Sequence, residues 1–172
     1  MKRKLIMLCI VILCFLMQST LFQALSFANI SPNLLVIVTS SYGFMRGKKE
    51  GMAIGFFSGL LMDIFFGGVL GFYTLIYMYI GYANGLFHKI FFPEDIKLPL
   101  ILISVSDFVA NMLVYFFLFL FRGRFAIGYY LLHIIVPEWV YTLLVTIFLY
   151  FILLKINQKL EKAEKRSTGK FV

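Results

Sequence analysis

Three acidic side chains lie inside long apolar runs of the sequence, where a charge is costly. They are Asp63, Asp107 and Glu138, and Asn111 follows Asp107 by four residues. An acid at membrane depth needs a proton, a partner or a polar cavity, and such acids often mark ion or solute pathways. The sequence leaves two interpretations open: structural acids that are protonated or cap helices, and a proton or solute pathway.

Basic partners for these acids are few. Arg122 and Arg124 are the only bases expected on the outer side of the membrane. We hypothesise that one of them reaches Asp63 or Glu138. Glu138 directly follows Pro137 at the expected outer start of the last helix, where its carboxylate could accept from free helix amides and meet the positive dipole end.

The remaining reactive residue types form no catalytic or cofactor-binding pattern. Cys9 and Cys14 lie in one apolar run, and two such residues predict neither a disulfide framework nor a metal site. His133 is interpreted as a packed or interfacial residue and His88 as a loop residue. No nucleophile–base motif, phosphate loop or metal-ligand spacing is present. We therefore predict a protein that is not an enzyme and has no cofactor.

Composition defines the elements that must hold these groups. Of the 172 residues, 62% are hydrophobic and 14% are charged, against about 25% charged in soluble domains. The net charge of +8 collects at the two ends of the chain, which is typical of cytoplasmic flanks of membrane segments and argues against nucleic-acid binding. The sequence predicts an all-α integral membrane protein whose basic tail can contact anionic lipid headgroups.

Apolar runs divide the chain into six candidate spans within a single polytopic domain, residues 1–172, with a basic cytoplasmic tail over 155–172. A spanning helix needs roughly 20 residues, and about 17 suffice. Ser31 is read as the N-cap of the second helix, with Pro32 in its first turn. The predicted spans are 5–28, 31–45, 51–66, 70–87, 98–121 and 137–154.

Positive charge predicts the orientation of these spans, with both termini in the cytoplasm. Arg122 and Arg124 alone oppose this rule. The first segment also has the form of a secretory signal peptide, so a cleaved segment is an alternative. Residues 125–136 are read as an interfacial or re-entrant segment before Pro137, and a single kinked helix over 127–154 is the competing interpretation.

A stripe of small residues runs along the third predicted helix. Gly51, Gly55, Gly59 and Asp63 are spaced by four, and each step of four turns about 40° beyond a full helical turn. Small residues at this spacing let another backbone approach closely in lipid. The partner is either another helix of the same bundle or a helix of a second protein. Asp63 lies about 18 Å along the axis from Gly51, in the outer half of the membrane.

Several of these motifs resemble the MreD family, the small polytopic rod-shape-determining membrane proteins of bacteria. The most specific block is Gly55-Phe-Phe-Ser-Gly59-Leu-Leu-Met-Asp63, with Gly71 following. Pro32-Asn33-Leu-Leu-Val and the late Pro137-Glu138-Trp139-Val-Tyr141-Thr142 are also similar, and the resemblance covers nearly the whole chain.

This resemblance implies a non-enzymatic scaffold in the bacterial cell membrane. Such proteins bind the bitopic protein MreC and belong to the elongation complex with MreB, RodA and a penicillin-binding transpeptidase, which organises lateral peptidoglycan synthesis. The family is also similar in architecture to the six-helix substrate-binding subunits of energy-coupling-factor transporters. A vitamin-binding membrane subunit is therefore the alternative function, and it would need a polar, ligand-sized pocket on the outer side.

Overall fold

The computed structural model describes residues 2–20, 30–67, 69–90, 96–117 and 127–168, and most of these residues are helical. We number the α-helices in chain order. They are α1 Lys2–Ser19, α2 Leu34–Arg46, α3 Lys48–Phe65, α4 Phe72–Leu86, α5 Lys97–Tyr115, α6 Ile127–Tyr130 and α7 Val136–Thr168. A 3₁₀ turn, Phe87–Ile90, follows α4, and a π-helical turn, Leu131–Ile135, joins α6 to α7.

Within the described ranges, two helices are long and apolar enough to cross a membrane by length and composition, Lys97–Tyr115 and Gly128–Ala163. The second combines α6, the π-helical turn and most of α7. Lys4–Ser19 and Leu34–Arg46 are apolar but shorter. Exposed large apolar side chains, including Leu75, Phe148 and Ile152, lie on several helices. An outer surface of this kind suits lipid rather than water.

The short helix α2 is the centre of the fold. Every residue from Leu34 to Met45 is buried, and α1, α3, α4, α5 and α7 all contact it. A helix that is apolar on all sides is expected in such a position, since it has no face to offer to water. The predicted N-cap of this helix was wrong. Asn33 caps it by accepting from the Val36 amide at 3.3 Å, so Ser31 and Pro32 precede the helix.

The segment before Pro137 is helical and continuous with α7, which contradicts the interfacial or re-entrant interpretation. Proline has no amide to give to the carbonyl four residues back, and its ring crowds that carbonyl. The helix accommodates this by widening, because the Val136 amide bonds the Leu131 carbonyl five residues back. The competing interpretation, one helix beginning at Ile127, describes the structure, although the helix continues to Thr168 rather than ending at residue 154.

Candidate functional site

The glycine stripe of α3 lies directly against the backbone of α4. A methyl group placed on Gly55 would lie 2.7 Å from the Tyr77 carbonyl carbon, and one on Gly59 would lie 2.6 Å from the Thr74 nitrogen. Both distances are far below van der Waals contact, and backbone cannot rotate away as a side chain can. The stripe therefore lets two antiparallel helices of the same chain pack at backbone distance.

Three glycines mark the point where α2, α3 and α4 cross. A methyl group on Gly43 would lie 2.6 Å from the Gly81 carbonyl oxygen, and one on Gly51 would lie 2.7 Å from the Gly43 Cα. Gly85 extends the contact, since it faces the Lys48 backbone. Sequence reasoning missed Gly81 and Gly85, although their own spacing of four on α4 was a readable signal.

Asp63 ends this stripe and caps the next helix. Its carboxylate accepts from the amides of Gly71, Tyr73 and Thr74 at 3.0, 2.9 and 2.9 Å, and from the Thr74 hydroxyl at 2.5 Å. These donors belong to the start of α4, where amides lack partners within the helix and the dipole is positive. The side chain is only 2% exposed, so the charge is held by the helix end itself.

The turn that allows this cap depends on Gly71. Its φ of 96° is in the left-handed region, which glycine adopts without the penalty that a Cβ would add. This conformation brings the Gly71 amide onto the Asp63 carboxylate. Arg122 and Arg124, the bases predicted to reach Asp63 or Glu138, lie outside the described residues, so that pairing stays a hypothesis.

A chain of polar contacts runs through the buried centre. Asn84 on α4 donates to the Ser106 hydroxyl on α5 at 2.7 Å and to the Ser40 hydroxyl on α2 at 3.4 Å. The Thr39 hydroxyl donates to Ser58 on α3 at 3.3 Å. Hydrogen bonds between helices hold membrane bundles together where apolar burial gives no advantage over lipid.

A second set of acids lies between α5 and α7, namely Asp107 and Glu138. The Asp107 side chain is fully buried. Thr142 and Glu138 lie beside it. Asn111, one turn along α5, lies beside Glu138. The structure thus brings together Asp107, Asn111 and Glu138 but places Asp63 in a separate cap.

The expected helix-end role of Glu138 was wrong. Because α6, the π-helical turn and α7 form one continuous helix, that helix has no free N-terminus at Glu138. Glu138 instead lines a cavity of about 320 Å³ together with Asn33, Tyr73, Tyr77 and Asn111. The Tyr77 hydroxyl donates to the Asn33 side chain in this wall at 2.9 Å.

The histidines and cysteines take no part in this region. The His88 Nδ1 lies 3.0 Å from the Phe44 carbonyl oxygen, and the exposed His133 ring stacks on Tyr129 with centroids 4.5 Å apart. Cys9 is exposed and Cys14 is buried. Within the described ranges, no three His, Cys, Asp or Glu residues are close enough to hold a metal ion.

Fold and site together define a helical membrane-associated protein whose polar residues serve mainly to join helices. Residues 1–160 match the family model for the rod shape-determining protein MreD, and the chain therefore belongs to the MreD family. This membership assigns it to the determination of rod shape, within a family of structural proteins. Comparison with curated proteins and with solved structures gives no match.

Proposed function

We propose that the protein is a non-enzymatic scaffold of the rod-shape machinery in the bacterial cell membrane. In this role it binds an MreC-like bitopic protein, and through it joins MreB, RodA and a penicillin-binding transpeptidase in organising lateral peptidoglycan synthesis. The observation that carries the proposal is the family match over residues 1–160. The close backbone packing of α3 against α4 also supports it, because such packing is typical of a rigid structural element rather than a reactive centre.

The partner surface in this proposal is the lipid-facing side of the bundle, not the glycine stripe. α4 fills the stripe at backbone distance, so a second protein's helix has no room along Gly55 and Gly59. Large apolar side chains that face outward, such as Phe57 and Phe148, remain available to a partner helix.

The test of the scaffold is copurification from bacterial membranes in mild detergent, followed by complementation of a strain that lacks the protein. We expect an MreC-like protein to copurify and rod shape to be restored. Recovery of an energising ATPase complex instead would overturn the scaffold proposal. Two outward-facing variants, Phe57→Ser and Phe148→Ser, are then compared in the same copurification. A variant that loses the partner marks the partner surface, and one that keeps it marks a surface that contacts only lipid.

The proposed topology has six spans with both termini in the cytoplasm. The turn at Val69 is then external and the 3₁₀ turn at Lys89 internal, and both residues are exposed. In a variant with Cys9 and Cys14 replaced by Ser, we expect Val69→Cys to react with a membrane-impermeant maleimide in intact cells. Lys89→Cys should react only after permeabilisation. The reverse pattern would invert the topology.

The alternative function, a vitamin-binding subunit of a transporter, has one observation in its favour. The cavity beside Glu138 has a volume of about 320 Å³, at the lower limit of the roughly 300–1,000 Å³ typical of small-molecule sites. That alternative predicts thermal stabilisation by a vitamin and copurification of an ATPase partner. Copurification of an MreC-like protein without either result favours the scaffold.

A further inference from the structure

The cavity beside Glu138 lies at one end of the bundle, where α1, α3 and α5 end and where α2, α4 and α7 begin. Gln18, Met62 and Tyr115 contribute from helix ends, and Asn33 and Tyr73 from helix starts. In the proposed topology this is the outer end. A half-open space lined by six segments of the chain differs from a simple gap between two helices.

The walls of this cavity combine aromatic rings with one carboxylate. The rings belong to four tyrosines, Tyr73, Tyr77, Tyr115 and Tyr130, and the carboxylate is that of Glu138. Among the described residues that line the cavity there is no Lys, Arg or His. Aromatic rings around a carboxylate are the surroundings in which proteins hold organic cations.

A second acid lies beneath the wall of the cavity. Asp107 lies one helical turn before Asn111, which lines the cavity, and is close enough to Glu138 for the two carboxyl groups to repel each other. The Asp107 side chain is fully buried beside the Thr142 hydroxyl. Low dielectric surroundings weaken screening, so a cation in the cavity would interact strongly with an ionised Glu138 carboxylate.

The acids at the cavity differ from Asp63 in their hydrogen-bond donors. The Asp63 carboxylate already has four donors from the chain itself, so it needs no ligand. Asp107 has the Thr142 hydroxyl beside it and Glu138 has the Asn111 side chain, and Glu138 also lines the cavity. Among the described residues, no positive group lines the cavity that these two acids adjoin.

We propose that this cavity binds an alkylammonium or guanidinium group that enters from the outer end, with Glu138 as its counter-ion and the tyrosine rings around it. The group belongs either to a small amine or to a Lys or Arg side chain of another protein. This inference goes beyond the scaffold function, and it is measured on the purified protein alone, so it can fail or hold independently.

The first experiment measures binding of n-butylamine and n-butylguanidine to the purified protein in detergent micelles at neutral pH, by thermal unfolding and by calorimetry. Butanol and butyrate are the neutral and anionic controls. We expect both cations, and neither control, to raise the unfolding temperature. In Glu138→Gln their affinity should fall about tenfold or more, as follows from loss of a charged partner. The matched control Glu161→Gln, on the distant part of α7, should bind as the unmodified protein does.

Equal stabilisation by butanol and by the cations would overturn the proposal, and so would cation binding that Glu138→Gln leaves unchanged. An absence of binding in both proteins would mean that the acids are simply protonated, which also overturns it. If binding emerges only when Arg122 and Arg124 are replaced by Gln, the chain's own bases fill the cavity and the external ligand is excluded. Should Glu138→Gln fail to fold, Asp107→Asn provides the second variant, with weakened cation affinity expected.

A further arm distinguishes the two sources of the cation. A photoreactive amino acid at Ile134, which lines the cavity, is activated in intact membranes. A crosslinked protein band that is lost on adding Glu138→Gln identifies a Lys or Arg side chain of a partner. Amine binding without such a band identifies a small amine, and both results support the proposal.

Discussion

The α3–α4 pair and the α5–α7 pair treat acidic residues in opposite ways. Between α3 and α4 the backbones touch through glycines, and Asp63 accepts four hydrogen bonds from the start of α4. Between α5 and α7 the contact is made by side chains, such as the Trp139 indole donating to the Ser104 hydroxyl at 2.8 Å. Asp107 in that interface lies beside the Thr142 hydroxyl, and no backbone amide of the described residues donates to it. An acid in an apolar segment is thus structural or available for a ligand according to what the neighbouring backbone supplies.

The largest loss of stability is expected for Gly55→Leu, which changes the closely packed α3–α4 pair. The new side chain would collide with the Tyr77 backbone, so we expect destabilisation beyond the ~1–3 kcal/mol typical of overpacked cores. The measurement is the yield of monodisperse protein in mild detergent and its unfolding temperature. Gly128→Leu is the control, because nothing lies within 4 Å of a methyl group placed there. Equal behaviour of the two variants would show that α3 and α4 are not held at backbone distance.

Asp63→Ala is expected to rank second. It removes the acceptor of three amides at the start of α4, and each unpaired buried group costs about 1–3 kcal/mol. We expect a loss of at least about 3 kcal/mol in the free energy of unfolding, measured by denaturant titration in micelles. A loss below about 1 kcal/mol would mean that water or another residue replaces the carboxylate, and the two acids would then differ little.

Thr74→Val tests one contact of the same cap. The substitution removes the hydroxyl that donates to Asp63 at 2.5 Å but keeps the shape and the backbone amide. A hydrogen bond to a charged group contributes about 1.5–3 kcal/mol, and the remaining donors partly compensate, so we expect a loss of about 1 kcal/mol. The control is Thr146→Val, whose hydroxyl bonds only the Thr142 carbonyl of its own helix. Identical losses in the two variants would contradict a charged cap.

Asp107→Asn should change the stability least, and it tests the α5–α7 pair. The neighbour of the native carboxyl group is the Thr142 hydroxyl, to which an Asn side chain can also bond, and a neutral amide avoids the cost of burying a charge. We expect the free energy of unfolding to stay within about 1 kcal/mol or to increase. If this variant is instead as unstable as Asp63→Ala, the α5–α7 pair is held by its acid in the same way as α3–α4.

The sequence predicted most helices well, because apolar runs and glycine spacing are local properties. Helix α3 begins at Lys48 and ends at Phe65, close to the predicted 51–66. The cap of α4 by Asp63 was not predictable in the same way, since it depends on a turn that folds the chain back over eight residues. Glu138 was misplaced for a similar reason: Pro137 reads as a helix start, whereas a π-helical turn carries the helix through it.

The continuous helix that contains Glu138 also has a mechanical consequence. α7 runs from Val136 to Thr168, 33 residues, or about 50 Å at 1.5 Å per residue. The cavity lies at one end of this rod, and Lys155, Lys159 and Lys162 project from the exposed face near the other. A tilt of about 5° at the cavity end would move the far tip by roughly 4 Å over that length. In the proposed topology, a ligand that tilts the helix at the cavity would therefore move these three lysines on the cytoplasmic side.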